Sequence, residues 1–403
     1  NGPKEFDRTI ERITVKDQDD ELFEVVSTIW GPVIDEDHRG RPRVLIWVAH
    51  QAGGVNLRTM NFNTAHTVEQ LLDIANDAGI PAQNLLVVDR DGHLAWSIAG
   101  KIPWRFGFSG RRPTSWESET RGWNGWLPLA QYPRVVDPQE GRLWSANNRH
   151  VSGKSLEIIG DEGYDVGARA RQIRDGLRLL HQATPTDMLT IQLDDRALFY
   201  AHWRSLLLNT LAEADASPER DRLARLVDDW SGRAAPDYAG YRLVRDFRTK
   251  VVDRVLPPLL APVRARTPRV ELPGRDETPV WSLVSERPAH LLPVGYADWD
   301  ALLLDAADAV TLRHPDLAAA TWGAYNTLRM EHPMASVLPG IGDRLMMPEV
   351  QQPGDQRMPR VSGPSFGVSQ SEFEQLAADS QIVIASPGDT AFPTLVDSFL
   401  PVF

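Results

Sequence analysis

Apolar and polar residues alternate through "TIERITVKD" (Thr9 to Asp17), and an extended pattern resumes in "ELFEVVSTIW" (Glu21 to Trp30). A period of two puts alternate side chains on opposite faces, so both stretches read as strands joined by a turn at Asp17 to Asp20. Gly31-Pro32 breaks the second strand. Arg39 to Pro42 then turns the chain into "RVLIWVAH" (Arg43 to His50), whose unbroken apolar run predicts burial on both faces. Thr67 with Gln70 three residues on has the spacing of a capping box, and Gly79 with Pro81 marks the stop of the helix between them. "NLLVVD" (Asn84 to Asp89) and "HLAWSIAG" (His93 to Gly100) flank Asp91-Gly92, a dipeptide that supplies the positive φ angles of a tight hairpin turn. From Arg111 to Asn148 the pattern is irregular, with Trp116, Trp123, Trp126 and Trp144 to pack the segment on itself.

From about Tyr164 to Pro262 the period changes to that of helices. "DVGARARQIRDGLRLLHQA" (Asp165 to Ala183) is followed by Thr184-Pro185, an N-cap and first-turn pair. These open what reads as one continuous helix, "DMLTIQLDDRALFYAHWRSLLLNTL" (Asp187 to Leu211). Ser217-Pro218 repeats the device, and "GYRLVRDFRTKVVDRVL" (Gly240 to Leu256) is expected to end at Pro257-Pro258. A polar linker, Pro262 to Pro279, precedes one more helix over Trp299 to Arg313, and the remainder is Pro- and Gly-rich. The expected division is a β-rich part over 1–150, a helical region over 151–270, and a mixed part over 271–403 that returns to the core.

Composition narrows the chemistry. The 403 residues are 42% hydrophobic and 24% charged, as in a globular α+β protein, and contain no Cys, which removes disulfides, thiolate metal sites and Cys nucleophiles. A net charge of −12 argues against wrapping nucleic acid, and no apolar run approaches a membrane span. Asn1-Gly2-Pro3-Lys4 has no charged segment leading into an apolar core, so no signal peptide is expected in these residues. Gly363-Pro364-Ser365-Phe366-Gly367 matches the nucleophile-elbow string, but the last of the 10 His is His332, upstream of Ser365, so the base that an elbow needs is not placed after it. Neither a zinc-protease motif nor a Gly-rich phosphate cradle occurs. Asp194 and Asp195 are adjacent, so their carboxylates point apart. His181, His202 and His290, and the amides of Asn147 and Asn148, read as structural.

An ordered set of blocks carries more. "STIWGPVI" (Ser27 to Ile34), "AQNLLVVDRDGHLAWSIAGKIPWR" (Ala82 to Arg105), "GWLP" (Gly125 to Pro128), "GRLWSANNRH" (Gly141 to His150) and "TPTDMLTIQLD" (Thr184 to Asp194) appear in sequence. "TWGAYNT", His332-Pro333 and "MPRVSGPSFG" (Met358 to Gly367) follow. Together they resemble the large subunit of the penicillin acylase family of N-terminal-nucleophile hydrolases, over nearly all of the chain. The resemblance implies an αββα sandwich, here incomplete, with an inserted helical region. It implies hydrolysis of an amide between an acyl group and a β-lactam nucleus, a homoserine lactone or a related amine. It also implies an oxyanion-hole amide at Asn84, and an arginine at Arg105 that orders the surroundings of the nucleophile.

The family nucleophile is an N-terminal Ser, and Asn1 cannot serve as one. The resemblance therefore implies a complementing chain or segment with the small subunit and that Ser, and a small-molecule N-acyl substrate. No catalytic cofactor is implied. A structural calcium and a periplasmic or extracellular location are implied by the resemblance, without ligands that can be named. The alternative is a non-catalytic scaffold or ligand-binding protein that keeps the acylase fold, with some of the 13 Trp lining a groove.

Overall fold

The computed structural model describes residues 4–116, 120–160, 163–267, 270, 276–329, 332, 334–335 and 340–363, with the backbone of 383–384 and 394–395. Asn1, Pro333 and Ser365 lie outside these residues. The chain divides into two compact units, one built on Asn1–Leu143 with Val151–Glu162, the other on Trp144–His150 with Gly163–Ala385.

The first unit opens with an antiparallel meander, β1 (Asp7–Ile13), β2 (Glu21–Thr28), β3 (Gly31–Glu36) and β4 (Pro42–Val44), in that spatial order. The alternation located β1 and β2, although β1 ends at Ile13 and not at Asp17, and their register runs unbroken from Asp7 opposite Ser27 to Ile13 opposite Glu21. The run Arg43 to His50 departs from expectation. Its strand stops at Val44, Leu45 is 41% and Trp47 50% exposed, and Val48–His50 is a single 3-10 turn. Among the described residues nothing from this meander joins a buried apolar cluster, so its apolar side chains have no core to enter. Ile10, Leu22 and Ile29 are each about two-thirds exposed.

Next come α1 (Val68–Asn76), β5 (Gln83–Val88), β6 (Leu94–Ala99), β7 (Pro103–Phe106), β8 (Gly122–Trp126), β9 (Arg134–Val136) and α2 (Gly153–Ile159). Thr67 Oγ1 accepts the Gln70 N–H at 3.3 Å, as the spacing predicts, while the Gln70 side chain reaches back to the His66 N–H at 2.8 Å. Strands β5, β6 and β9 form one antiparallel sheet with β6 in the centre, and β7 pairs with β8. Alternation sorts the sheet's side chains. Leu85, Val87 and Ala95 pack on Val68 and Leu72 of α1, while Leu86, Trp96 and Ile98 face a cluster with Ile102, Leu127, Tyr132 and Ile158. The turn between β5 and β6 is wider than Asp91-Gly92 suggested. Asp89 Oδ1 accepts the N–H groups of Asp91 and His93, both at 3.0 Å, and only Gly92 takes positive φ, +90°. An Asp side chain that closes its own turn removes the need for a second left-handed residue. Strands β8 and β9 fall inside the segment expected to be irregular.

The second unit is helical: α3 (Ala168–Arg178), α4 (Pro185–Gln192), α5 (Ala201–Glu213), α6 (Pro218–Asp228), α7 (Gly240–Arg264), α8 (Glu277–Glu286), α9 (Trp299–Arg313) and the short α10 (Trp322–Tyr325). The core of α5, α6, α7, α8 and α9 holds Trp203, Leu207, Tyr241, Phe247, Leu302 and Leu303, all fully buried. Three expectations are corrected. The continuous helix over Asp187 to Leu211 breaks between α4 and α5, because Asp194 Oδ1 accepts the Arg196 N–H at 3.1 Å and offers the backbone a turn instead. Helix α7 runs through Pro257, Pro258 and Pro262; that end is mostly exposed, which leaves the carbonyls that lose a donor open to solvent. An unexpected helix, α8, starts in the last residues of the expected linker with Pro279 in its first turn, where the missing N–H has no intrahelical partner to lose. Among the described residues no helix is long and apolar enough to cross a membrane.

The "GRLWSANNRH" block holds a titrating group. His150 Nε2 lies 3.0 Å from Ser145 Oγ, and burial pushes the imidazole pKa down to about 4 from 6.5. The folded chain thus resists protonation that the unfolded chain accepts, so stability contributed above pH 6.5 is lost as pH falls towards 4. Denaturant midpoints measured across that window are expected to fall on acidification, with the slope reduced in His150→Gln. An equal slope in the variant would refute the assignment.

Candidate functional site

Asn84 is the second residue of β5, directly opposite Ile98 of β6. Its side chain shares a face with Trp96, and the Trp96 indole N–H donates to Asn84 Oδ1 at 3.0 Å. An indole is a donor only, so this bond fixes which end of the amide is oxygen. The Trp96 ring is 2% exposed and cannot turn away. Among the described residues no acceptor takes a hydrogen from Asn84 Nδ2, and the half-buried amide presents that nitrogen as an oriented donor. The sequence block pointed to Asn84 but not to Trp96. The usable signal was the hairpin itself: side chains 84, 86, 96 and 98 share one face, and a buried Trp needs an acceptor.

Arg105 sits on β7, opposite Trp123 of β8. Its guanidinium turns to the C-terminus of α2, where Nη2 donates to the carbonyls of Glu157, at 3.1 Å, and Ile158. Those are carbonyls without an intrahelical donor, and a cation there also opposes the negative end of the helix dipole. Burial lowers the Arg105 pKa, yet an arginine stays charged through such a shift. Asn84 and Arg105 do not bond each other. They meet the same apolar cluster, Asn84 through Trp96 and Arg105 through Ile158.

The connection between them is held firmly. Tyr132 Oη accepts the Ile102 N–H at 3.0 Å and donates to the Gly100 carbonyl at 3.3 Å. Asn76, 1% exposed at the end of α1, donates to Ser97 Oγ at 3.0 Å and to the Ile98 carbonyl at 2.7 Å, and it accepts from Arg134 of β9. These bonds lock helix, sheet and linker into one frame.

Other sequence candidates take structural partners. Asn147 Oδ1 accepts from Arg169 and Asn148 Oδ1 from the Ala146 N–H. Asp194 pairs with Arg196, and Asp195 with Arg233. His202 bonds Glu277 at 3.0 Å. Among the described residues no three His, Asp or Glu side chains converge as metal ligands. A cavity of about 360 Å³ in the helical unit, beside Arg204 and Trp230, includes neither Asn84 nor Arg105.

Comparison with known proteins gives the frame its family. A model of the penicillin amidase family matches residues 1–393. The penicillin acylase 2 proenzyme of Pseudomonas sp. (strain SE83) is 27% identical over 343 residues, 82% of this chain and 42% of the relative. The acyl-homoserine lactone acylase QuiP of Pseudomonas syringae pv. syringae is 23% identical over 290 residues, 65% of this chain and 34% of the relative. The chain thus spans less than half the length of these curated relatives. The solved thermostable penicillin G acylase of Alcaligenes faecalis aligns with a TM-score of 0.57 at 17% identity, over 78% of this chain and 62% of that one. That likeness gives the fold, an α+β N-terminal-nucleophile hydrolase architecture. By the match across nearly its whole length, the chain belongs to the penicillin amidase family.

Proposed function

We propose that this chain is part of an amide hydrolase that removes an acyl group from a β-lactam or a related N-acyl amine, such as an acyl-homoserine lactone. In this reading the nucleophile is an N-terminal Ser on a complementing chain or segment. Its hydroxyl attacks the amide carbonyl while its own α-amine, which titrates near 7.7–8.0, takes the proton. The carbonyl oxygen gains the negative charge and receives the Asn84 Nδ2–H. Collapse expels the amine, protonated by the α-ammonium, and water then hydrolyses the acyl ester. Arg105 orders the nucleophile's surroundings by holding the end of α2 against β7. The observation that carries the reading is the oriented Asn84 amide, fixed by Trp96 with its nitrogen unclaimed among the described residues. A donor positioned before the charge develops needs no reorganisation during the reaction.

The reading predicts that the 403-residue chain alone does not hydrolyse phenylacetyl or long-acyl anilides, and that turnover appears when it is co-expressed with the complementing region. Turnover by the isolated chain would overturn the claim that the nucleophile lies elsewhere. A complex that binds N-acyl ligands with no turnover in any form would favour the scaffold.

A further inference from the structure

Strands β7 and β8 pair with each other, and their register breaks once. Trp123 stands opposite Arg105 and Trp126 opposite Pro103, so Asn124 and Gly125 together face the single residue Trp104. Two residues against one make a β-bulge, which disrupts the ladder locally and leaves an extra residue unpaired. The flanks of the bulge are anchored. The Trp126 indole N–H donates to the Ala52 carbonyl at 3.3 Å, and the Lys101 ammonium lies 5.5 Å from the ring centre. On the other side the Trp123 ring lies 6.3 Å from that of Trp116.

Between these anchors the chain is open. Asn124 and Gly125 are both exposed, and among the described residues no hydrogen bond holds the Asn124 side chain. Gly125 takes φ +71°, a left-handed angle that residues with a Cβ rarely adopt, and no atom lies within 4 Å of where a Cβ would stand. An asparagine carboxamide can close a ring on the main-chain nitrogen of the next residue. A bulky following side chain, a bonded carboxamide or a regular ladder hinders that closure, and Asn124 has none of the three. The other described Asx-Gly pairs are held. Gly92 N–H, after Asp91, donates to the Asp89 carbonyl at 3.2 Å, and Gly176, after Asp175, lies inside α3.

We propose that Asn124-Gly125 is a deamidation site of the folded chain. Hydroxide removes the Gly125 amide proton, and the nitrogen attacks Asn124 Cγ. The new C–N bond closes a succinimide ring as the Cγ–Nδ2 bond breaks, and the nitrogen leaves as ammonia with a proton taken from water, which restores the hydroxide. Water then opens the ring at one carbonyl or the other, giving aspartate or isoaspartate; nothing is oxidised or reduced. Either product adds a negative charge, and isoaspartate also lengthens the main chain by one carbon between two anchored indoles. The change falls beside Trp123, the partner of Arg105 in the ladder. It is independent of the amidase reading.

The test is peptide mapping by mass spectrometry on the folded 403-residue chain, incubated for days to weeks at neutral and at mildly alkaline pH, against an unincubated sample. The tryptic peptide Gly122–Arg134 carries Asn124. Deamidation raises its mass by about 1 Da, and an isoaspartyl methyltransferase marks the isoaspartate. Conversion at Asn124 is expected to be at least about tenfold faster than at the exposed Asn61 and Asn63, which precede Phe62 and Thr64, and faster at the higher pH. It is also expected to stay within about tenfold of the rate in the same chain unfolded in guanidinium, since the bulge leaves the peptide open. Asn124→Gln, whose longer side chain closes a ring poorly, is expected to remove the mass change from this peptide. A smaller lead over Asn61 and Asn63, or a folded rate more than about tenfold below the unfolded one, overturns the site, because the fold then protects it. A mass change that persists in Asn124→Gln overturns it as well.

Discussion

Asn84→Ala in the reconstituted enzyme is expected to lower kcat by about 10²–10³ with little change in KM, the usual cost of losing one oxyanion donor. The expectation follows from where charge develops. In the proposed reading a ground-state amide oxygen gains little from the Asn84 N–H, whereas the tetrahedral oxyanion gains a charge-assisted bond, so the loss falls on the transition state. Trp96 makes a second, finer test. Trp96→Phe keeps an aromatic ring in the cluster but deletes the N–H that holds Asn84 Oδ1 at 3.0 Å. The amide then turns between two orientations, and kcat is expected to fall about three- to tenfold, the worth of one net hydrogen bond. Steady-state kinetics on an anilide substrate, with urea melts to show both variants folded, read the two effects. Unchanged kcat in Asn84→Ala would remove the residue from the reaction.

In the helical unit the largest expected stability loss is at Glu277. This carboxylate, 8% exposed, accepts from Arg248 Nε at 2.7 Å, Trp203 Nε1 at 2.8 Å and His202 Nε2 at 3.0 Å. Burial alone raises its pKa, but the bonds from His202 and Arg248 outweigh that and hold it below the ordinary value. Glu277→Ala leaves Arg248, itself 12% exposed, beside a void, with Asp276 its remaining anion, and strips the Trp203 indole of its acceptor. Removing one partner of a buried ion pair costs about 3–5 kcal/mol. Glu277→Gln keeps an acceptor in place and is expected to cost less. Denaturant unfolding of the two variants checks the order, and an alanine variant within about 1 kcal/mol of the parent would refute it. The carboxylate's contribution is present above its unfolded pKa and is lost as pH falls through the lower folded value.

Much of the local structure was legible because it is set by neighbours in the chain. Thr67, Thr184, Ser217 and Asp298 each cap the helix that follows through a side-chain bond to its first turn, and the first three were readable from spacing. The β5–β6 hairpin was legible from two apolar runs about an Asp-Gly turn. The misreadings share a cause. The break at Asp194, the passage of α7 through three prolines and the start of α8 at Glu277 each depend on whether a backbone group finds water, a side chain or no required partner. Periodicity does not report that.

The site divides in the same way. Sequence alone determined the family blocks, the lack of a cysteine nucleophile and the apolar character of "QNLLVV", and it offered Asn84 and Arg105 as candidates. Only the tertiary structure decided that Trp96 locks the Asn84 amide and that Arg105 holds the end of α2. A residue's chemistry travels with its sequence. The direction of a hydrogen bond and the neighbour on a strand's far side are fixed only when distant segments pack and exclude water.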